Sequence, residues 1–146
     1  MNIFQNKVLM TAILGWIIAI IAKFIITSVV NRKLEWKKGV SDGGMPSSHS
    51  ALVSSVAAAL YFECGPASPV FALAAVFALI TMHDASGVRL ESGKQAKAIN
   101  DIVEILSPQF EKLSDEDKLK EILGHTPFQV LVGALFGIVT AVIMYN

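Results

Sequence analysis

Three histidines, one glycine- and serine-rich run and one arginine are the residues of this 146-residue chain best suited to chemistry. The run Gly43-Gly44-Met45-Pro46-Ser47-Ser48-His49-Ser50 combines a turn with residues that favour the start of a helix. Two glycines let the backbone turn its N–H groups inward. The helix start adds unpaired donors and the positive end of a dipole, and Ser47 and Ser48 add hydroxyls. Such a segment suits a phosphate or another oxyanion, and it equally suits an ordinary N-cap after a glycine turn. Arg89 offers a bidentate fork for phosphate oxygens, and Lys37 and Lys38 offer further positive charge. His49 and His125 can divide the roles of nucleophile and general acid, because imidazole changes protonation near neutral pH. His83-Asp84 is a weak metal-binding signal, since Asp84 can instead pair with Arg89 or cap the helix before it.

The elements that must position these residues are apolar. The chain is 53% hydrophobic and 16% charged, with a mean hydropathy of +0.57. A soluble domain carries about 25% charged residues. Charges are nearly absent from four stretches and crowded between them, as in a membrane bundle. The pattern predicts an all-α fold in which residues 1–146 form a single membrane domain. Four main apolar helices are expected at about 8–30, 48–62, 67–82 and 127–145, with a polar amphipathic insertion at 93–123 between the third and fourth. The first run is too long for a signal h-region and reads as a retained transmembrane helix. The second and third are short, with a re-entrant hairpin as the alternative. Within the insertion, Ala96, Ile99, Ile102, Val103, Ile105 and Leu106 predict an amphipathic helix over Lys94–Leu106, and Ser114 with Asp117 predicts a second over Ser114–Leu123. Thr126 and Pro127 are a cap and first-turn pair for the last helix. Gly133 and Gly137 have the spacing that allows close helix contact.

Four crossings would place the loop before His49 and the loop holding His83, Arg89 and His125 on one side of the bilayer. Arg32, Lys33, Lys37 and Lys38 lie there, against Lys7 alone on the other side, so this face is expected to be cytoplasmic. Lys23, inside the first apolar run, either snorkels to the interface or is a buried cation in the bundle. Cys64, the single cysteine, excludes an intrachain disulfide framework and is expected to be a buried, inert thiol. Zero net charge gives no basic surplus for binding nucleic acid.

These motifs resemble those of type 2 phosphatidic acid phosphatases, relatives of the vanadium haloperoxidases, and most closely the divergent branch of that family. Pro46-Ser47-Ser48-His49 looks like its histidine-bearing helix start. His83-Asp84-Ala85-Ser86-Gly87-Val88-Arg89, Gly93-Lys94-Gln95-Ala96 and Gly124-His125-Thr126-Pro127 are similar to its other hallmarks. The resemblance implies that His125 attacks phosphorus and His49 protonates the leaving alkoxide. It implies that Ser47, Ser48, Gly44, Arg89 and either Lys37 or Lys38 hold phosphate oxygens, with Lys23 as the other candidate lysine. Asp84 and His83 would support the site, and no metal or other cofactor is required. The implied partner is a lipid phosphate or other anionic lipid in the cell membrane. Gln129 stands where the family places an orienting aspartate. A glutamine accepts a hydrogen bond but cannot stabilise an imidazolium electrostatically. The alternative to a phosphatase is therefore a non-catalytic binder or transporter of an anionic headgroup. Because the full-length family uses six helices, a homodimer completing the bundle is also expected.

Overall fold

The computed structural model describes residues 3–32, 34, 43–106, 118–119, 121 and 124–146, all helix, turn or irregular chain with no strand. After a 3₁₀ turn at Ile3–Gln5 come five α-helices: α1 Lys7–Asn31, α2 Ser48–Cys64, α3 Pro69–Ser86, α4 Val88–Leu106 and α5 Pro127–Tyr145. The helix starts are set by polar side chains. Asn6 caps α1 by accepting from Leu9 N–H at 3.0 Å. Ser47 caps α2, Ser68 caps α3 ahead of Pro69, and Thr126 caps α5 ahead of Pro127. These side chains satisfy donors that a helix start otherwise leaves unpaired.

Three helical stretches of the described chain are long and apolar enough to cross a membrane: Lys7–Asn31, the stretch from Pro69 into α4, and Pro127–Tyr145. Their burial pattern is that of a protein in lipid. Large apolar side chains face outward, among them Ile17, Ile21 and Ile25 on α1, Leu73, Phe77 and Ile80 on α3, and Leu131, Leu135 and Val139 on α5. The interior is made of small residues: Ala12, Gly15 and Ala19 from α1, Ala51, Ser55 and Ala59 from α2, and Gly133, Ala134, Gly137 and Ala141 from α5. Lipid tails are as apolar as leucine, so helices here gain by close backbone packing and not by hiding large side chains.

The central helix is α2, which packs on α1, α3 and α5. A Cβ at Gly133 would collide with the Ser47 carbonyl, and one at Gly137 with the Ala51 carbonyl and Ser55 N–H. A Cβ at Gly15 would collide with the Ser55 hydroxyl, which donates to the Ala51 carbonyl at 2.7 Å. The Gly133–Gly137 pair is thus used within the chain, against the first turns of α2.

The chain direction alternates. At one end of the bundle, Lys7 at the start of α1 sits 4.1 Å from the ring of Tyr145 at the end of α5. Phe62 near the end of α2 stacks on the same ring, with centroids 5.6 Å apart. The start of α2, the end of α3 and the start of α5 meet at the other end.

Several boundaries and one environment differ from the sequence reading. The third apolar helix continues past Met82 to Ser86, because Ser86 Oγ and Gly87 N–H keep donating to the Met82 and His83 carbonyls of the preceding turn. The amphipathic helix starts at Val88 and not at Lys94, so Arg89 lies in its first turn. Cys64 is exposed, being the last residue of α2 at the turn through Gly65. The helix expected over Ser114–Leu123 lies almost wholly outside the described residues.

Candidate functional site

The glycine turn before α2 and the residues before α5 are held together by backbone bonds. Ser47 N–H donates to the Gln129 carbonyl at 3.1 Å, and His125 N–H donates to the Ala85 carbonyl at 2.9 Å. Gly124 has φ +89°, and a Cβ there would collide with the backbone of Arg89 and Leu90. Only glycine meets both conditions without strain. His125 is thereby fixed against the end of α3 and the start of α4.

His125 is 4% exposed. Its Nδ1 donates to the Gly44 carbonyl at 2.9 Å. A carbonyl only accepts, so this bond assigns the proton to Nδ1 and leaves the lone pair of the neutral ring on Nε2. Burial is the main influence pushing the His125 pKa below the ordinary 6.5, and the positive charge of Lys23 adds to it. The Gly44 and Gln129 hydrogen bonds act in the opposite direction, and His49 lowers the value further. The net result is a pKa below the ordinary 6.5.

His125, His49, Asp84 and Arg89 line one cleft, together with Gly43, Thr81, Ala85 and Gly124. The cleft is narrow, about 20 Å³, room for roughly one water. Arg89 Nε donates to Asp84 Oδ2 at 2.7 Å across its rim. Both side chains of that pair are substantially exposed, as is His49. Lys23 is 1% exposed and lies against Gly44, so it is buried within the bundle and does not snorkel.

Ser47 and Ser48 lie behind the cleft lining. Ser47 is fully buried, and its Oγ accepts from Ser50 N–H at 3.3 Å while pairing with Ser50 Oγ at 2.9 Å. Ser48 is buried too, and neither lines the cleft. The His83 ring is exposed and outside the lining. Gln129 and Thr126 form a capping box: Thr126 N–H donates to Gln129 Oε1 at 3.0 Å, and Gln129 N–H donates to Thr126 Oγ1 at 3.3 Å. Lys37 and Lys38 lie outside the described residues. Among the described residues, no group of three or more His, Cys, Asp or Glu is placed to hold a metal ion. Thr81 and the Ala85 carbonyl were not singled out from the sequence. Thr81 sits one helical turn before Ala85, so a helix drawn through to Ser86 would have put both beside Asp84.

Taken together, the outward apolar surface, the small-residue core and the histidine-lined cleft define an integral membrane protein of all-helical type. Comparison then supplies the family. The family model described as "Divergent PAP2 family" matches residues 4–140, and the chain belongs to that family. It is 39% identical over 153 residues to a Bacillus subtilis (strain 168) protein described as "Uncharacterized membrane protein YuiD", covering 99% of this chain and 97% of that one. No solved structure gives a significant match.

Proposed function

We propose that this protein is a membrane lipid-phosphate phosphatase that hydrolyses a phosphomonoester through a phosphohistidine at the cytoplasmic face. The observation that carries the reading is His125, its Nδ1 bonded to the Gly44 carbonyl, in a cleft it shares with His49 and Arg89. In the first step the Nε2 lone pair of His125 attacks phosphorus. The bond from phosphorus to the ester oxygen breaks, and the leaving alkoxide takes a proton from His49. In the second step His49 accepts a proton from water as the water oxygen attacks the phosphohistidine, releasing inorganic phosphate and restoring both rings. Arg89 and the buried Lys23 balance charge on the phosphoryl oxygens, which is the task of preorganised cations in such a transfer.

In this reading α2 crosses the bilayer as well, giving four apolar crossings with α4 as the amphipathic element outside. The excess of Arg32, Lys33, Lys37 and Lys38 over Lys7 supports a cytoplasmic site. A screen of isoprenoid and glycerolipid phosphates with purified protein tests the function. Phosphate release that persists with chelator and vanishes in His125→Ala and His49→Ala supports it. Equal release by wild type and His125→Ala overturns it.

Gln129 favours a second reading, in which the pocket holds an anionic headgroup without turnover. Its Oε1 is taken by the α5 cap, and though the side chain also hydrogen-bonds His125 it carries no charge to stabilise an imidazolium. That reading expects thermal stabilisation by the lipid phosphate with no product formed.

A further inference from the structure

A second, larger hollow lies below the cleft, open to the lipid side. Its volume is about 460 Å³, and α2 and α3 form its walls with Ile138 of α5 at the edge. Alanines make the trough: Ala57 and Ala58 from α2, Ala75 and Ala78 from α3. Ser54 and Met82 stand at the end nearer the cleft, with Ser54 Oγ 3.9 Å from Met82 Sδ. The far end is walled by Tyr61 and Phe71, whose rings meet edge to face at 5.5 Å. The lining is almost wholly apolar.

Groove and cleft share α3. Met82 lines the groove, while Thr81, Asp84 and Ala85 on either side of it in sequence line the cleft, so the end of the groove reaches the level of the cleft on a neighbouring face of α3. Methionine is unbranched and adaptable, and a chain can pass over it. From Met82 to Phe71 the groove follows about 16 Å of helix axis. An apolar cavity of about 150 Å³ takes one benzene, so 460 Å³ holds roughly eighteen carbons. That is one hydrocarbon chain and not two.

We propose that this groove receives the single hydrocarbon chain, roughly 12 to 18 carbons long, of a lipid monophosphate whose headgroup sits between His49, Arg89 and His125. The proposal deepens the reading of the cleft as a phosphate site and rests on it. It commits the groove to a one-chain phosphate ester and makes two-chain phosphatidic acid a poor fit.

The test uses full-length protein in phosphatidylcholine nanodiscs. The probes are hexadecyl phosphate with a photoreactive diazirine at the chain terminus, the matching hexadecanol, and two-chain phosphatidic acid as competitor. Crosslinks from the phosphate are expected on peptides holding Tyr61, Phe71 or Ala75. Ala75→Trp, which fills the trough, should reduce them about tenfold, and Leu73→Trp, outside the groove on the lipid-facing surface of α3, should leave them unchanged. Unlabelled hexadecyl phosphate should compete about tenfold better than phosphatidic acid. Ala58→Trp, on the opposite wall, repeats the result if Ala75→Trp fails to fold. Crosslinks spread over the outer surface, crosslinks to a second copy of the chain, or equal competition by one- and two-chain lipids would each overturn the proposal. Groove crosslinks without phosphate release uphold it while removing the phosphatase step. Phosphate release indifferent to chain number and to the tryptophan substitutions does the reverse.

Discussion

The Nδ1 of His125 lies 2.9 Å from the carbonyl oxygen of Gly44, joining the residue before the α5 cap to the turn before α2 across 81 positions of sequence. The bond fixes which ring nitrogen keeps its lone pair. It also brings His125 beside Lys23, which packs against the same glycine. The titration of His125 is therefore a readout of the assembled site.

His125 should titrate below 6.5, chiefly because it is buried and secondly because Lys23 is near. A ring whose pKa is lowered on folding stays neutral while the unfolded chain takes up a proton. Its contribution to stability is complete above 6.5 and is lost as pH falls through the folded value. Lys23→Met should raise the His125 pKa toward 6.5, measured by nitrogen-15 NMR of the imidazole. An unmoved or lowered value would show that Lys23 does not act on this ring.

Asp84 holds Arg89 at the cleft rim and places a negative charge where, in the phosphatase reading, an anion enters. Asp84→Asn should tighten inorganic phosphate binding by about threefold to tenfold, and Arg89→Ala should weaken it by at least about tenfold. The pair is exposed, so neither change should cost more than about 1 kcal/mol of stability. Calorimetric titration checks the affinities. Weaker binding by Asp84→Asn would mean that the carboxylate orients Arg89 productively.

Gln129→Glu keeps the capping geometry, because glutamate suits the third position of such a box. It adds a carboxylate beside His125, so the pKa of that ring should rise. In the phosphatase reading, phosphate release should quicken by about tenfold. Gln129→Ala should lose about 1 kcal/mol of stability with no gain in rate. A glutamate variant slower than wild type would count against a charge-starved imidazole.

Gly137→Leu and Gly133→Leu drive side chains into the α2 backbone and should destabilise the protein by at least about 3 kcal/mol. Leu135→Ala, on the outward face of the same helix, should change little. Size-exclusion profiles and thermal melts in mild detergent separate the cases. A well-folded Gly137→Leu would show that α2 and α5 are not in backbone contact.

Local chemistry made parts of this structure readable. Thr126-Pro127 marked the start of α5, and Ser47 marked the start of α2, because caps act within one turn. The end of α3 was not readable, since His83 and Asp84 broke the apolar pattern while the backbone bonds ran on to Ser86. The fate of Lys23 was undetermined, because burial inside a bundle depends on which face α1 presents. Ser47 looked like a phosphate ligand by type, yet the capping requirement and contact with α5 claim it first. Lys37 and Lys38 fall outside the described residues.

The interior built from Gly15, Ala51, Ala59, Gly133 and Ala134 has a practical consequence for anyone probing this molecule. Systematic truncation to alanine would pass over most of it without a signal, since there is almost nothing to remove. Enlargement reveals what deletion cannot: adding one methyl at a time along the Ser47–Ser55 side of α2 would trace where the neighbouring helices touch.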